Sequence, residues 1–345
     1  MVVRVFTTAI LSASVFGLVA AMPMAGVSAK DFFKDRTITV VVPSGSGGSF
    51  HIYCQLVQRH IGKYIPGRPK AIIQNRPGAA GVKSLRFMST AAPKDGTMIA
   101  MINPGTTMTP ILRPKMGYDA TKLQWLGAAS VRTYTLGVWH TVPIKSIADA
   151  KKRVTTLASS GKGATSTLLP QLMNKLIGTK FKVIHGYKGG GAMNLAVERG
   201  EVEGRTNYYS GYTGARPHWL REGRITFLAT FGPPRPEVKN VPRFVDMVKP
   251  GIDREMVNIL ESNFNVGQAF YVPPGVPKKT VNILRKSFGA MVTDAAFKAE
   301  AKKRGVPTYS RTWQQVEAAV KIGYGSRKEA AEQLATLLGF RKNKK

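Results

Sequence analysis

Three glycine-rich stretches each follow a β-branched run and precede a segment with helical spacing of apolar residues. They are Ser44-Gly45-Ser46-Gly47-Gly48-Ser49, Ser159-Ser160-Gly161-Lys162-Gly163-Ala164-Thr165 and Tyr187-Lys188-Gly189-Gly190-Gly191. A loop of this kind, set between a buried strand and a helix, turns backbone N–H groups outward at the positive end of the helix dipole, where a carboxylate or phosphate is favoured. One terminus contributes about 0.3–1 kcal/mol to holding an anion, and charge-assisted hydrogen bonds add to that. Several loops converging on one point could therefore hold a small acid without any buried Lys or Arg. The amides near Gly47, Gly48, Gly161, Gly163, Gly189 and Gly190 are the candidate donors, with hydroxyls from Ser46, Ser49, Ser159, Thr165 and Tyr187 beside them. Any one loop taken alone is explained as well by a tight turn.

More specific chemistries fail on their spacing. Gly161-Lys162 is followed by Gly163 rather than Ser or Thr, and Thr156 stands where a phosphate-binding P-loop needs its first glycine. Ser46-Gly47-Gly48 departs from the dinucleotide glycine pattern. His51, His60, His140, His185 and His218 never pair at metal-ligand spacing, so no metal and no cofactor is expected. Gly45-Ser46-Gly47 is too short for a nucleophile elbow, and no Asp and His partners can be assigned to it. Cys54, the sole cysteine, falls inside an apparent helix among Ile52, Tyr53, Leu56 and Val57, which reads as a small buried apolar residue. No catalytic residue is expected.

The elements that must carry these loops follow one grammar. Thr37 to Val42 is a continuous apolar-leaning run ended by Pro43, the pattern of a strand covered on both faces, and Tyr53, Leu56, Val57, Ile61 and Tyr64 then fall at helical spacing after Ser49, a candidate N-cap. Val154 to Ala158 and Phe181 to His185 read as strands, and Ser166 to Ile177 and Ala192 to Arg199 as the helices that follow them. Ala269 to Val272 is a further strand; Lys279 to Thr293, Phe297 to Lys303 and Thr312 to Leu338 read as helical. Strand, loop and helix in alternation define an α/β protein, and 345 residues suffice for two domains.

Arg4, the uncharged apolar stretch Val5 to Met24 and the small residues Val27-Ser28-Ala29 have the form of a cleavable export signal, residues 1–29, cut near Ala29. Thr7, Thr8, Ser12, Ser14 and Gly17 weaken the alternative of a retained membrane span. Lys and Arg number 51 against 19 Asp and Glu, a formal charge of +32, or +31 for residues 30–345. Such charge steers anions and can also adhere to polyanions. The basic residues are nevertheless dispersed through every segment. No zinc-ligand spacing, RNP-like aromatic motif or basic zipper accompanies them, so nucleic acid is not the expected partner.

At the same loops the chain resembles the periplasmic solute receptors of tripartite tricarboxylate transporters, often called the Bug family. Ile38-Thr39-Val40-Val41-Val42-Pro43 with Gly47-Gly48-Ser49 is similar to the family's first strand and loop. Asn75-Arg76-Pro77-Gly78-Ala79-Ala80-Gly81 resembles its Asn-Arg-Pro-Gly-Ala-Gly-Gly motif, and Pro93-Lys94-Asp95-Gly96 its Pro-x-Asp-Gly turn. Ser159 to Gly163, Tyr187 to Gly191 and Pro273-Pro274-Gly275-Val276-Pro277 follow in the family's order. The resemblance implies a two-lobed fold of the type II periplasmic-binding-protein kind: two doubly wound α/β domains joined by crossover strands, closing on a small carboxylate. On that reading residues 30–130 and 250–345 form one lobe and 131–249 the other. The loop Ser44 to Ser49, with Ser159 to Gly163 and Tyr187 to Gly191, lines the cleft between them. It implies a monomer in the periplasm that serves membrane transporter subunits. Two departures bear on the ligand: His51 stands where the family usually has Asp, and Val202-Glu203 where it favours Val-Asp. A His could donate a hydrogen bond to an acid that an Asp would repel. The rival reading is an exported basic protein that binds polyanions.

Overall fold

A computed structural model describes residues 32–46, 49–113, 116–161, 164–187 and 189–341. The export segment with its cleavage point, and the predicted site residues Gly47, Gly48 and Gly163, lie outside the described residues.

The chain builds two sheets. The first has six strands, β1 (Thr37–Val42), β2 (Lys70–Asn75), β3 (Met98–Met101), β4 (Gln124–Ala128), β10 (Ala269–Val272) and β11 (Arg311–Thr312), in the order β11-β4-β10-β3-β1-β2. The second has five, β5 (Tyr134–Trp139), β6 (Thr155–Ala158), β7 (Phe181–Ile184), β8 (Gly204–Tyr208) and β9 (Ile225–Phe231), in the order β7-β6-β8-β5-β9. Each contains a parallel trio, β2-β1-β3 in one and β7-β6-β8 in the other, flanked by antiparallel strands. Parallel pairing requires a crossover helix, and that is why the sequence alternates strand, loop and helix. β3 is buried at every residue and β1 at four of six, as expected of strands covered on both faces.

Helix α1 (Ser49–Tyr64) begins at Ser49 and lays Tyr53, Cys54, Leu56, Val57 and Ile61 on one face of the first sheet, joined there by Leu284 and Phe288. Cys54 is fully buried with its Sγ 3.7 Å from Met101 Sδ, and burial pushes its thiol well above the usual range, so it is packing material rather than a nucleophile. The opposite face is covered by Leu85, Met88, Val316 and Val320. The stretch read as one helical region from 312 to 338 is two helices, Trp313–Tyr324 and Lys328–Leu337. The first opens with a capping box between Thr312 and Gln315 and ends at the C-cap Gly325, whose N–H donates to Lys321 O at 2.8 Å.

The second sheet is flanked by α2 (Thr165–Ile177) and α3 (Gly190–Glu198). Its main cluster gathers Leu136, Leu157, Leu169, Leu172 and Phe231 with Val257, Leu260 and Phe264 of α4 (Ile252–Val266), and with Ala331 and Leu334. Apolar packing thus runs continuously across residue 250, joining the second sheet to helices that follow it in the chain.

Two segments pass between the sheets, 129–133 from β4 to β5 and 267–268 from α4 to β10. They are paired: Ala129 N donates to Gln268 O at 3.0 Å and Gln268 N to Ser130 O at 2.8 Å. Gly267 has φ 56°, and a Cβ there would come within 2.2 Å of Ser130 O, so only glycine allows the two strands to lie this close.

Candidate functional site

The parallel strands β6, β7 and β8 end on one edge of the second sheet, and there β6 turns into α2 and β7 into α3. The N-caps of these helices are Ala164 and Gly189, neither of which makes a side-chain cap hydrogen bond. Thr167 N already donates to Ala164 O at 2.8 Å, which leaves the N–H groups of Thr165, Ser166, Gly190 and Gly191 at the positive ends of the two dipoles. Gly189 takes φ 148°, a conformation that residues with a side chain rarely adopt and that sets the entry into α3.

Between the two termini is a cavity of about 310 Å³. It is lined by Ser160, Thr165 and Ser166 from one side, Gly189, Gly190 and Met193 from the other, and Arg205, Asn207, Tyr208 and Tyr134 from the strands beneath. Arg205 is 4% exposed. Its Nη1 donates to Gly190 O and to Asn194 Oδ1, both at 2.7 Å, and its Nε to Thr206 O at 3.3 Å. All three acceptors are neutral oxygens, and no described carboxylate pairs with it. Burial lowers Arg205 below the usual guanidinium range, opposed by Tyr212 and Tyr134, yet an arginine keeps its proton in a protein.

A second buried guanidinium stands in the crossing segment. Arg132 lies 4.5 Å from the ring centre of Phe50, at the start of α1, and 4.8 Å from that of Tyr208, whose hydroxyl accepts from Arg132 Nη1 at 2.6 Å. Its Nε and Nη2 are buried without a hydrogen-bond partner. The cation is held by two aromatic faces, one beside each sheet, and no described carboxylate balances it.

Of the residues singled out from the sequence, Thr165, Gly189 and Gly190 line this cavity. Ser159 is buried just behind it, its hydroxyl 2.8 Å from Ser166 Oγ and 2.7 Å from Thr167 Oγ1, while Thr167 also donates to Gly161 O at 2.8 Å. These bonds hold the loop in shape. Tyr187 is half-buried against the satellite cluster of Trp219 and Tyr212, and burial raises its phenol. Ser44 lies in the loop after β1 and His51 in the first turn of α1. Asn75 Nδ2 donates to Ser44 O at 2.8 Å and sits 3.3 Å from His51 Nδ1, while Ser46 and Ser49 are exposed. The described contact that carries this loop toward the cavity is Phe50 on Arg132 on Tyr208. Glu203 accepts from Thr156 N at 2.9 Å and pairs with Arg153 at 2.6 Å, so it is committed to joining strand ends.

The arginines escaped the sequence reasoning, which had the loops sufficing without a buried cation. In the sequence they stand as lone charges, in Gly204-Arg205-Thr206-Asn207-Tyr208 and Val131-Arg132-Thr133-Tyr134, with nothing in the spacing to rank them above the other basic residues. Larger grooves exist, and two of them hold an arginine that is paired with a carboxylate. Arg285, in one of about 450 Å³, pairs with Glu317 at 3.3 Å and stacks on Trp313; Arg235, in one of about 740 Å³, pairs with Glu237 at 2.7 Å. Among the described residues no three His, Cys, Asp or Glu side chains gather as metal ligands.

Two α/β sheets joined by crossing segments, with uncapped helix termini around a cavity, define the two-lobed type II fold of solute-binding proteins. The profile of the tripartite tricarboxylate transporter family receptor matches residues 57–328, and the chain belongs to that family. A UPF0065 protein of Bordetella bronchiseptica is 25% identical over 237 residues, which span 66% of this chain and 68% of that one. The crystal structure of a TctC solute-binding protein from Polaromonas, with no ligand, superposes with a TM-score of 0.68 at 17% identity, covering 89% of this chain and 99% of that one. An R. palustris protein solved with adipate superposes with a TM-score of 0.61 at 21% identity, covering 88% and 97%. The family is one of substrate-binding receptors of tripartite tricarboxylate transporters.

Proposed function

We propose that this protein is exported, loses its leader near Ala29, captures a small organic acid between its two lobes and delivers it to a membrane transporter of the tripartite tricarboxylate type. The observation that carries this reading is the cavity at the ends of β6, β7 and β8, where two uncapped helix termini and a guanidinium face one space with no carboxylate among the described residues to balance them. A carboxylate supplies the acceptor oxygens and the charge that these groups call for. Adipate in a structural relative supports the class of ligand. Lobes of residues 30–130 with 250–345, and of 131–249, would close by bending at the paired crossing segments, bringing the loop of Ser44 to Ser49 and His51 over the ligand. The protein acts as a monomer and without a catalytic step or cofactor.

Thermal-shift screening against mono-, di- and tricarboxylates, amino acids and aromatic acids tests the proposal. A ligand at about a hundred times its Kd adds roughly 2.7 kcal/mol of stability and raises the melting temperature. If no acid shifts the transition while heparin retains the protein, the polyanion reading replaces this one.

A further inference from the structure

Arg205 is an unusual component for a cavity wall. Arg205 is 4% exposed, and among the described residues its guanidinium is answered only by the neutral oxygens of Gly190, Asn194 and Thr206. Taking a cation out of water costs several kcal/mol unless something balances it, and here the described protein does not. The arrangement of the bonds shows what is left over. Both Nη1 hydrogens are used, one on Gly190 O and one on Asn194 Oδ1, and Nε–H leans on Thr206 O, so among the described residues Nη2 alone is without an acceptor. Nη2 is also absent from the sealed, unpartnered atoms that include Arg132 Nε and Nη2, consistent with its facing the cavity that Arg205 lines. A Cβ at Gly190 would meet Arg205 Nη1 and Nη2 at the ordinary contact distances of 3.7 and 3.8 Å, so the guanidinium lies against the start of α3. The two anchoring bonds fix the plane of the guanidinium before any ligand arrives, so little side-chain freedom remains to be lost on binding.

Resting on the receptor reading above, we propose that Arg205 is the specificity-determining residue of the cavity: Nη2 ion-pairs with a buried oxyanion of the ligand through a single charge-assisted contact, while the first turns of α2 and α3 take its other oxygens. Three properties follow. The buried end of the ligand must be ionised, because a neutral amide or ester leaves the guanidinium unbalanced. The contact is one-point rather than a two-pronged fork, since the anchoring bonds occupy the other edges. Lysine does not replace arginine there, because one ammonium cannot hold Gly190 O and Asn194 Oδ1 and reach the cavity as well.

The test compares wild type, Arg205→Met and Arg205→Lys by calorimetric titration with acetate, malate and adipate. Loss of a buried charge-assisted bond weakens binding by about ten- to a hundredfold. R205M is expected to lose that much against every acid the wild type binds, and R205K to recover little of it. R205M leaves Gly190 O, Asn194 Oδ1 and Thr206 O without their donor, so its melting temperature without ligand is expected to fall; a cooperative transition still well above the titration temperature separates lost binding from lost folding. A second arm does not depend on the natural ligand: crystals soaked in sodium bromide should show an anomalous peak within hydrogen-bond distance of Arg205 Nη2, absent in R205M. Acids bound equally well by wild type and R205M would overturn this role and leave the receptor reading standing. A wild type that ignores all three acids and the wider acid panel would remove the receptor reading, and the bromide peak then decides the role of Arg205 by its presence or absence.

Discussion

Replacing Glu261 by Gln should stabilise the protein at pH 8 and leave it nearly unchanged at pH 5. Glu261 lies on α4 within the cluster shared with the second sheet, 6% exposed, and its Oε1 has no hydrogen-bond partner. Burial raises its carboxyl from 4.5 to about 7, while the N–H of Gly232 and the charge of Arg243 pull the other way and Asp246 adds to the rise. A carboxyl that holds its proton more tightly when folded gives its full stability below about 4.5 and loses it as pH climbs through about 7. The loss amounts to about 3 kcal/mol, taking about 1.4 kcal/mol for each pH unit between the folded and unfolded values. Gln has nearly the same shape, cannot ionise and removes this dependence. Urea unfolding of wild type and E261Q at pH 5 and pH 8 measures it directly. Curves in which the difference between the two proteins is the same at both pH values would refute the assignment of a buried, proton-holding carboxyl at this position.

Other outcomes can be checked independently. Gly267→Ala should cost about 2–5 kcal/mol, because the residue needs a positive φ and its Cβ would strike the Ser130 carbonyl oxygen; the melting temperature reports it. The formal charge of +32 should make association with adipate slow as salt rises from 10 to about 200 mM in stopped-flow measurements, whereas a flat rate would deny the steering role of the surface. His51→Asp should keep the Asn75 contact, now to a carboxylate, and weaken carboxylate affinity severalfold by like charge; unchanged affinity and unchanged ligand ranking would remove His51 from the cleft.

The alternation of strand, glycine loop and helix was legible because each unit is local. Thr37 to Val42 is continuously apolar-leaning, and Ser166 to Ile177 carries its own helical stripe. Strand order was not legible, since whether β5 lies beside β8 or β6 depends on contacts distant in sequence. β8 was hidden by its composition: Gly204-Arg205-Thr206-Asn207-Tyr208 has neither alternation nor an apolar run, and only its place inside the sheet makes it a strand. Gly189 and Gly190, singled out from the sequence, line the cavity because a backbone turn is written into the residue type. Arg132 and Arg205 could not be ranked above the other basic residues, for what distinguishes them is the absence of a carboxylate neighbour, a property of space rather than of spacing.

Every residue lining the cavity belongs to the 134–208 stretch, so the seat is complete in one half of the chain. Capture can then occur in two kinetic stages, a bimolecular docking whose rate grows with solute concentration and a unimolecular clasp whose rate does not. On the receptor reading proposed above, the half that arrives second would act as a cover, contributing dwell time rather than first contact.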